Sequence, residues 1–197
     1  MSSPRTSQAT RQTRETRVVA GVNLDGNGKA EVETGVGFFD HMLELLARHS
    51  LIDINVHAEG DLDVDDHHTV EDVGIVLGKA IDQALGDKRG IRRYGWAMIP
   101  MDECLAQVAV DLSGRPAFVF NAAFAGERVG RFDTELVSEF LKTLATSARM
   151  TLHVNVPYGS NNHHIAEAIF KALARALREA VSRDPRDEGI PSTKESL

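Results

Sequence analysis

The sequence predicts an α+β fold: two copies of a β-β-α-β-α unit, with helices packed between two mainly antiparallel four-stranded sheets. Three observations predict it. The cluster HHxxE occurs twice, from His67 to Glu71 and from His163 to Glu167, 96 residues apart in a chain of 197. Upstream of each copy lies a segment with apolar residues at spacings of three and four, FFDHMLELLAR over 38–48 and LVSEFLKTLAT over 136–146, the signature of an amphipathic helix. Between helix and cluster each half carries a short alternating run, IDINVH over 52–57 and MTLHVN over 150–155, which reads as a half-buried strand.

In chain order, residues 1–12 are polar and rich in Ser, Thr and Arg, without the apolar stretch of a secretory signal, and are expected to form a disordered arm. The first repeat, 13–92, opens with strand candidates at 16–23 and 29–34. Asp25-Gly26-Asn27-Gly28 is expected to be the hairpin turn between them. Helix 38–48, strand 52–57, a glycine-containing loop at 60–66 and the first HHxxE helix follow. A linker around 86–95 (GDKRGIRRYG) leads to the second repeat, 93–184, with strand candidates at 96–112 and 118–124. Helix 136–146, strand 150–155, loop 157–162 and the second HHxxE helix complete it, and 185–197 form a tail. Apolar helix stripes and sheet faces must be buried against one another, so the two halves are expected to stack their helices between their sheets.

Composition narrows the function. With 42% hydrophobic and 26% charged residues the chain can bury an ordinary core. A formal charge of −7 argues against a nucleic-acid groove or an anionic membrane surface as partner. No apolar run approaches the roughly 18 residues of a membrane span. A cytoplasmic protein is expected. The single cysteine, Cys104, lies in an apolar run and excludes both a disulfide framework and a cysteine-rich zinc site.

The doubled cluster points to metal. On a helix, residues three or four apart share a face, so His67 or His68 can join Glu71 on one ion, and His163 or His164 can join Glu167. Adjacent histidines diverge by about 100° and cannot easily serve the same ion. Two ions, each fed by both repeats, satisfy this geometry. His41 aligns with Glu139 in the preceding helices, which gives eight candidate ligands: His41, His67, His68, Glu71, Glu139, His163, His164 and Glu167. A set of imidazoles and carboxylates without thiolate suits manganese, iron, nickel or zinc. Four protein ligands per ion leave positions open for substrate. His49, His57 and His153 read as surface or strand residues.

The segments GVGFFDHML (35–43), DDHHTVEDVGIVLGKA (65–80), DKRGIRRYG (87–95), PMDE (100–103), DLSGRP (111–116), NNHHIAEAIFKALARAL (161–177) and PSTK (191–194) together resemble the imidazoleglycerol-phosphate dehydratase family. The resemblance runs over about 13–194, every motif in order. It implies a lyase with two Mn2+ per subunit that converts D-erythro-imidazoleglycerol phosphate to imidazole acetol phosphate and water in L-histidine biosynthesis. It also implies trimers assembled into a 24-subunit homo-oligomer, with active sites at subunit interfaces. Carried over by position, His41, His67, His68, Glu71, His163, His164 and Glu167 are manganese ligands. Arg93, Arg115, Lys171, Ser192 and Lys194 are the phosphate set, and Glu15 contacts the glycerol portion. Two departures stand out: many members have His where this chain has Glu139, and a glycine is common where it has Glu195.

The implied reaction removes a C2 proton with no carbonyl beside it. Metals on both ring nitrogens favour the imidazolate, which expels the neighbouring hydroxyl as water and gives a diazafulvene-like intermediate; loss of the C2 proton then yields an enol and the ketone. Glu15 is the first candidate for the acid–base group, with Glu71 or Glu167 next and Asp102 of PMDE after them. A metal-storage protein would use the same ligands, but would have no use for cations such as Arg93, Arg115, Lys171 and Lys194.

Overall fold

The computed structural model describes residues 4–197, and its repeat is longer than the sequence pattern predicts: each half is β-β-β-α-β-α. The first half comprises β1 (Thr6–Gln12), β2 (Thr16–Asn23), β3 (Ala30–Glu33), α1 (Gly37–Ser50), β4 (Asp53–Gly60) and α2 (His67–Leu85). The second comprises β5 (Tyr94–Met101), β6 (Cys104–Asp111), β7 (Ala117–Asn121), a short β8–β9 ribbon (Arg128–Val129 and Phe132–Asp133), α3 (Glu135–Ser147), β10 (Thr151–Tyr158) and α4 (Asn162–Val181). Two four-stranded sheets result, ordered β1-β2-β4-β3 and β5-β6-β10-β7. Both have antiparallel pairs except at one edge, where β3 runs parallel to β4 and β7 parallel to β10.

Three expectations are corrected. The supposedly disordered arm is β1 over Thr6–Gln12, paired antiparallel with β2; residues 1–3 lie outside the described residues. Its sequence shows no apolar alternation because only Ala9 faces the core. Polar anchors hold the strand instead: Ser7 Oγ donates to the Ala80 carbonyl at 2.5 Å, and Arg11 Nε donates to Asp72 at 2.6 Å. The run 96–112 divides into β5 and β6 at the turn Asp102-Glu103, where Asp102 adopts φ +47°. The segment Asp25–Gly28 is not a hairpin turn, since β4 lies between β2 and β3. It crosses the end of β4, held by backbone N–H groups of Asn27 and Lys29 that donate to Asp53 Oδ1, each at 2.9 Å.

The helices pack across the duplication. Each sheet is covered by its own last helix, α2 on β1–β2 and α4 on β5–β6, while α2 packs on α3 and α1 on α4. Gly74 and Gly78 of α2 make the first helix pair possible, because a Cβ there would run into Phe140, Thr143, Leu144 and Ser147 of α3. Phe39 of α1, Phe140 of α3 and Phe170 of α4 are fully buried and join the halves, with ring centroids 5.1 Å (Phe39–Phe140) and 5.5 Å (Phe140–Phe170) apart. This apolar seam fixes the starts of α1 and α4 relative to each other. Cys104, on β6, is buried in the hydrophobic core, as expected. No described helix is long and apolar enough to cross a membrane.

Candidate metal centre and substrate cleft

The α1–α4 pairing brings His41 against the first turns of the second HHxxE helix. His41 Nε2 and His163 Nε2 approach the same oxygen, Glu167 Oε1, at 3.1 and 3.0 Å. Local sequence sets this geometry: Asn161 caps α4 by accepting from the His163 and His164 N–H groups, and Glu167 follows His163 by four residues, one turn on. The three ligand atoms lie within 4.8 Å of one another. Two imidazole nitrogens and a carboxylate oxygen converging on one point fit a divalent cation of the borderline class. Lys171 Nζ donates to the other oxygen, Oε2, at 2.5 Å. Glu167 is 7% exposed, and burial alone would raise its pKa. The ion pair with Lys171 and the His41 and His163 hydrogen bonds outweigh that and lower it to about 2. A cavity of about 560 Å³ lies beside the cluster, lined by Phe38, His41, Asp66, Arg131, Phe132 and His163.

The second histidine of each motif is held differently. His68 Nδ1 donates to Asp61 Oδ2 at 3.0 Å, and His164 Nδ1 donates to Glu103 Oε2 at 2.7 Å. Each carboxylate raises its histidine's pKa. The His164 bond, with backbone N–H groups of Asn161 and Ser160, in turn holds Glu103 far below the usual carboxylate range. A carboxylate on Nδ1 leaves Nε2 available as a ligand atom and fixes the ring's orientation. The Nε2 atoms lie 4.0 Å from Glu15 (His68) and 3.7 Å from Asp102 (His164), beyond hydrogen-bond reach. Asp61 and Glu103 were both missed by sequence reasoning, and Glu103 did carry a signal. Its signal was the duplication: like Glu15, it stands in the turn between the first two strands of its repeat.

A third assembly lies at the tail. A cleft of about 670 Å³ is lined by Arg93, Arg115, Ser192 and Lys194 among others, so four of the five predicted phosphate residues meet. Lys171 does not line it and sits on Glu167. The cleft and the cavity beside the cluster have no lining residue in common.

With this geometry established, comparison with known proteins decides the family. The pattern described as "Imidazoleglycerol-phosphate dehydratase" matches residues 34–177. The chain belongs to that family. A protein of this name from Methylorubrum extorquens is 58% identical over 98% of this chain and 100% of its own, and one from Clostridium botulinum is 58% identical over 95% of each. The crystal structure of imidazoleglycerol-phosphate dehydratase from Staphylococcus aureus superposes with a TM-score of 0.82 at 43% identity, covering 90% of this chain and 100% of that one. The Pyrococcus furiosus structure gives the same TM-score at 35% identity, covering 95% and 99%.

Against the ligand set inferred for the dehydratase, this single chain gathers one part and leaves another apart. Among the described residues, one group of three potential ligands forms: His41, His163 and Glu167. The repeat equivalents Glu139, His67 and Glu71 do not close on one another. Glu139 accepts from Lys142, one turn on, at 3.3 Å, and the His67 ring lies edge-on to His68 at 6.1 Å. At the departure in the tail, Glu195 adopts φ +54°, a backbone region that favours glycine.

Proposed function

We propose that this chain catalyses the dehydration of D-erythro-imidazoleglycerol phosphate to imidazole acetol phosphate in L-histidine biosynthesis, with two manganese ions per subunit. The observation that carries this reading is the convergence of His41, His163 and Glu167, drawn from both repeats, in a chain whose full-length relatives bear that enzyme's name. His41, His163 and Glu167 would hold one ion. Glu139, His67 and Glu71, on the equivalent α2–α3 pair, would hold the other. His68 and His164, steadied through Nδ1, would complete the sets from neighbouring copies. When bound, the ions supply Lewis acidity that favours the anionic form of the substrate's ring.

The chain's own groups supply the rest. Arg93, Arg115, Ser192 and Lys194 bind the phosphate as a fork, a charge and a hydroxyl, with Lys171 contributed from the metal-binding face of another copy. Glu15, 4.0 Å from His68 Nε2, takes the C2 proton and returns it, with Glu71 or Glu167 as the alternative group. The substrate ring loses the hydroxyl as water and passes through a diazafulvene-like species to the enol and ketone. Because the tail cleft and the metal cluster are separate within one chain, a complete site needs copies side by side. Trimers gathered into a 24-mer in the cytoplasm satisfy this. The test is to incubate the manganese-loaded protein with imidazoleglycerol phosphate and follow the ketone. Formation of imidazole acetol phosphate is expected, and its absence from assembled, metal-loaded protein overturns the reading.

A further inference from the structure

Arg93 has a twin. Its Nε and Nη2 donate to the two carboxylate oxygens of Asp111 at 2.7 and 3.0 Å, and its Nη1 donates to the Pro191 carbonyl at 2.8 Å. In the other repeat Arg5 uses the same three nitrogens in the same way. Its Nε and Nη2 donate to Asp25 at 3.0 and 2.5 Å, and its Nη1 donates to the Val181 carbonyl at 2.6 Å. Each arginine directly precedes the first strand of its repeat. Asp111 ends the second strand of its repeat, and Asp25 lies just past the end of the corresponding strand. One clasp is therefore present twice, once per half.

The two clasps hold different things. Arg5 ties the start of β1 to the last residue of α4. Arg93 lines the tail cleft and ties down the segment that carries Ser192 and Lys194. The tail is also laced to the linker between the repeats: Gly90 N–H donates to the Gly189 carbonyl at 2.8 Å, and Asp184 N–H donates to the Gly90 carbonyl at 2.9 Å. A guanidinium carries five N–H donors. Asp111 and Pro191 take three, which leaves one on Nη1 and one on Nη2 for further acceptors such as phosphate oxygens.

We infer that Asp111 is a positioning residue for phosphate recognition: it orients the free Arg93 fork and, through Arg93, docks the tail bearing Ser192 and Lys194. This rests on the phosphate reading of the cleft proposed above. The charge of Asp111 is what aligns the fork, so replacing it with a neutral isostere misorients Arg93 and loosens the tail together. The Arg5–Asp25 clasp provides the control, because a merely structural role makes the two aspartates equivalent.

The experiment compares Asp111→Asn with Asp25→Asn in the full-length, manganese-loaded protein. It reads substrate KM and kcat, inhibition by inorganic phosphate, and hydrogen exchange of the tail. Asp111→Asn is expected to raise KM and weaken phosphate inhibition by about 10–100-fold, as befits a lost hydrogen bond to a charged group, with a smaller change in kcat. Exchange over 187–197 should quicken. Asp25→Asn is expected to lower the melting temperature and leave KM and phosphate inhibition at wild-type values. Unchanged phosphate inhibition in folded Asp111→Asn, or parallel KM changes in the two variants, would overturn the proposal. Should Asp111→Asn fail to fold, Asp111→Ser, also neutral, takes its place, and wild-type KM, phosphate inhibition and tail exchange in that variant would refute the proposal. If the wild type turns over no imidazoleglycerol phosphate, the dehydratase reading fails, while phosphate binding measured directly and tail exchange still decide the role of Asp111.

Discussion

The two helix pairs of this protein are built from equivalent residues and have reached different states. On α1–α4, His41, His163 and Glu167 have closed into a cluster, with Lys171 seated on the far oxygen of the carboxylate. On α2–α3, the equivalents Glu139, His67 and Glu71 stand apart, and Lys171 has no counterpart: the aligned position is Ile75. The contrast has an electrostatic cause. The α1–α4 set contains one carboxylate, which two imidazole N–H groups and an ammonium neutralise without any ion. The α2–α3 set contains two carboxylates and one histidine, so closing it without a cation would press like charges together. One half is preformed, and the other is expected to close on metal.

The largest break in this comparison should come from the closed half. His163→Ala removes a candidate ligand from the only preformed cluster among the described residues. It should cost one metal per subunit and at least about 100-fold in activity, more than the 10–100-fold typical of residues behind the ligands. Elemental analysis with turnover checks it, and full metal content at normal rate would remove His163 from the site.

Glu139 sharpens the comparison. Glu139→His would make the two sets chemically alike and should keep both metals, whereas Glu139→Ala should lose the second. Two ions retained at wild-type affinity in Glu139→Ala would assign the carboxylate to its pair with Lys142 instead.

A smaller effect is expected behind the second histidines. Asp61→Asn and Glu103→Gln should each weaken metal binding by about 10–100-fold in competition with a chelator, and by similar factors, since each carboxylate steadies an imidazole through Nδ1. A change in one and none in the other would confine that steadying role to a single repeat.

The smallest effect is on stability against pH, and its sign differs between groups. In metal-free protein the raised pKa values of His68 and His164 contribute stability that is full below the ordinary value of 6.5 and fades as pH rises through their folded values. Metal requires these rings deprotonated, so metal-induced stabilisation should grow over the same rise. Glu167 runs the other way in acid: its contribution is full above 4.5 and is lost as pH falls toward about 2. Melting temperatures of the metal-free and loaded forms across pH 2–9 check both signs. A metal-induced gain that stays constant from pH 5 to 8 would contradict the histidine assignment.

The four helices and the strands before each HHxxE motif were legible because their apolar spacing is dictated by burial, and the observed ends of α1, α3, β4 and β10 fall within three residues of the predicted ones. The first strand of each repeat was not. In β1 the pairing is secured by Arg5, Ser7 and Arg11, polar side chains that carry no periodic signal. In β5–β6 a two-residue turn with a left-handed aspartate joins two strands of similar composition into one apparent run. The order β2-β4-β3 could not be read from Asp25–Gly28 either, since local turn chemistry says nothing of a strand inserted later in the chain. In the candidate site, the four-residue spacing that brings His163 and Glu167 to one face of α4 was legible, while the partners of His68, His164 and Arg93 were not: Asp61 lies in the loop before α2, Glu103 in the distant β5–β6 turn and Asp111 at the end of β6.

The central claim is that a duplicated scaffold presents two equivalent metal sets, one closed in advance and one closed by the ion. Manganese bound per subunit, measured by elemental analysis on assembled protein titrated from zero to excess, tests it most directly. Two ions should bind in separable steps, with His41→Ala abolishing the tighter and Glu139→Ala the weaker. Saturation at a single ion per subunit, abolished by His41→Ala and unaffected by Glu139→Ala, would contradict it.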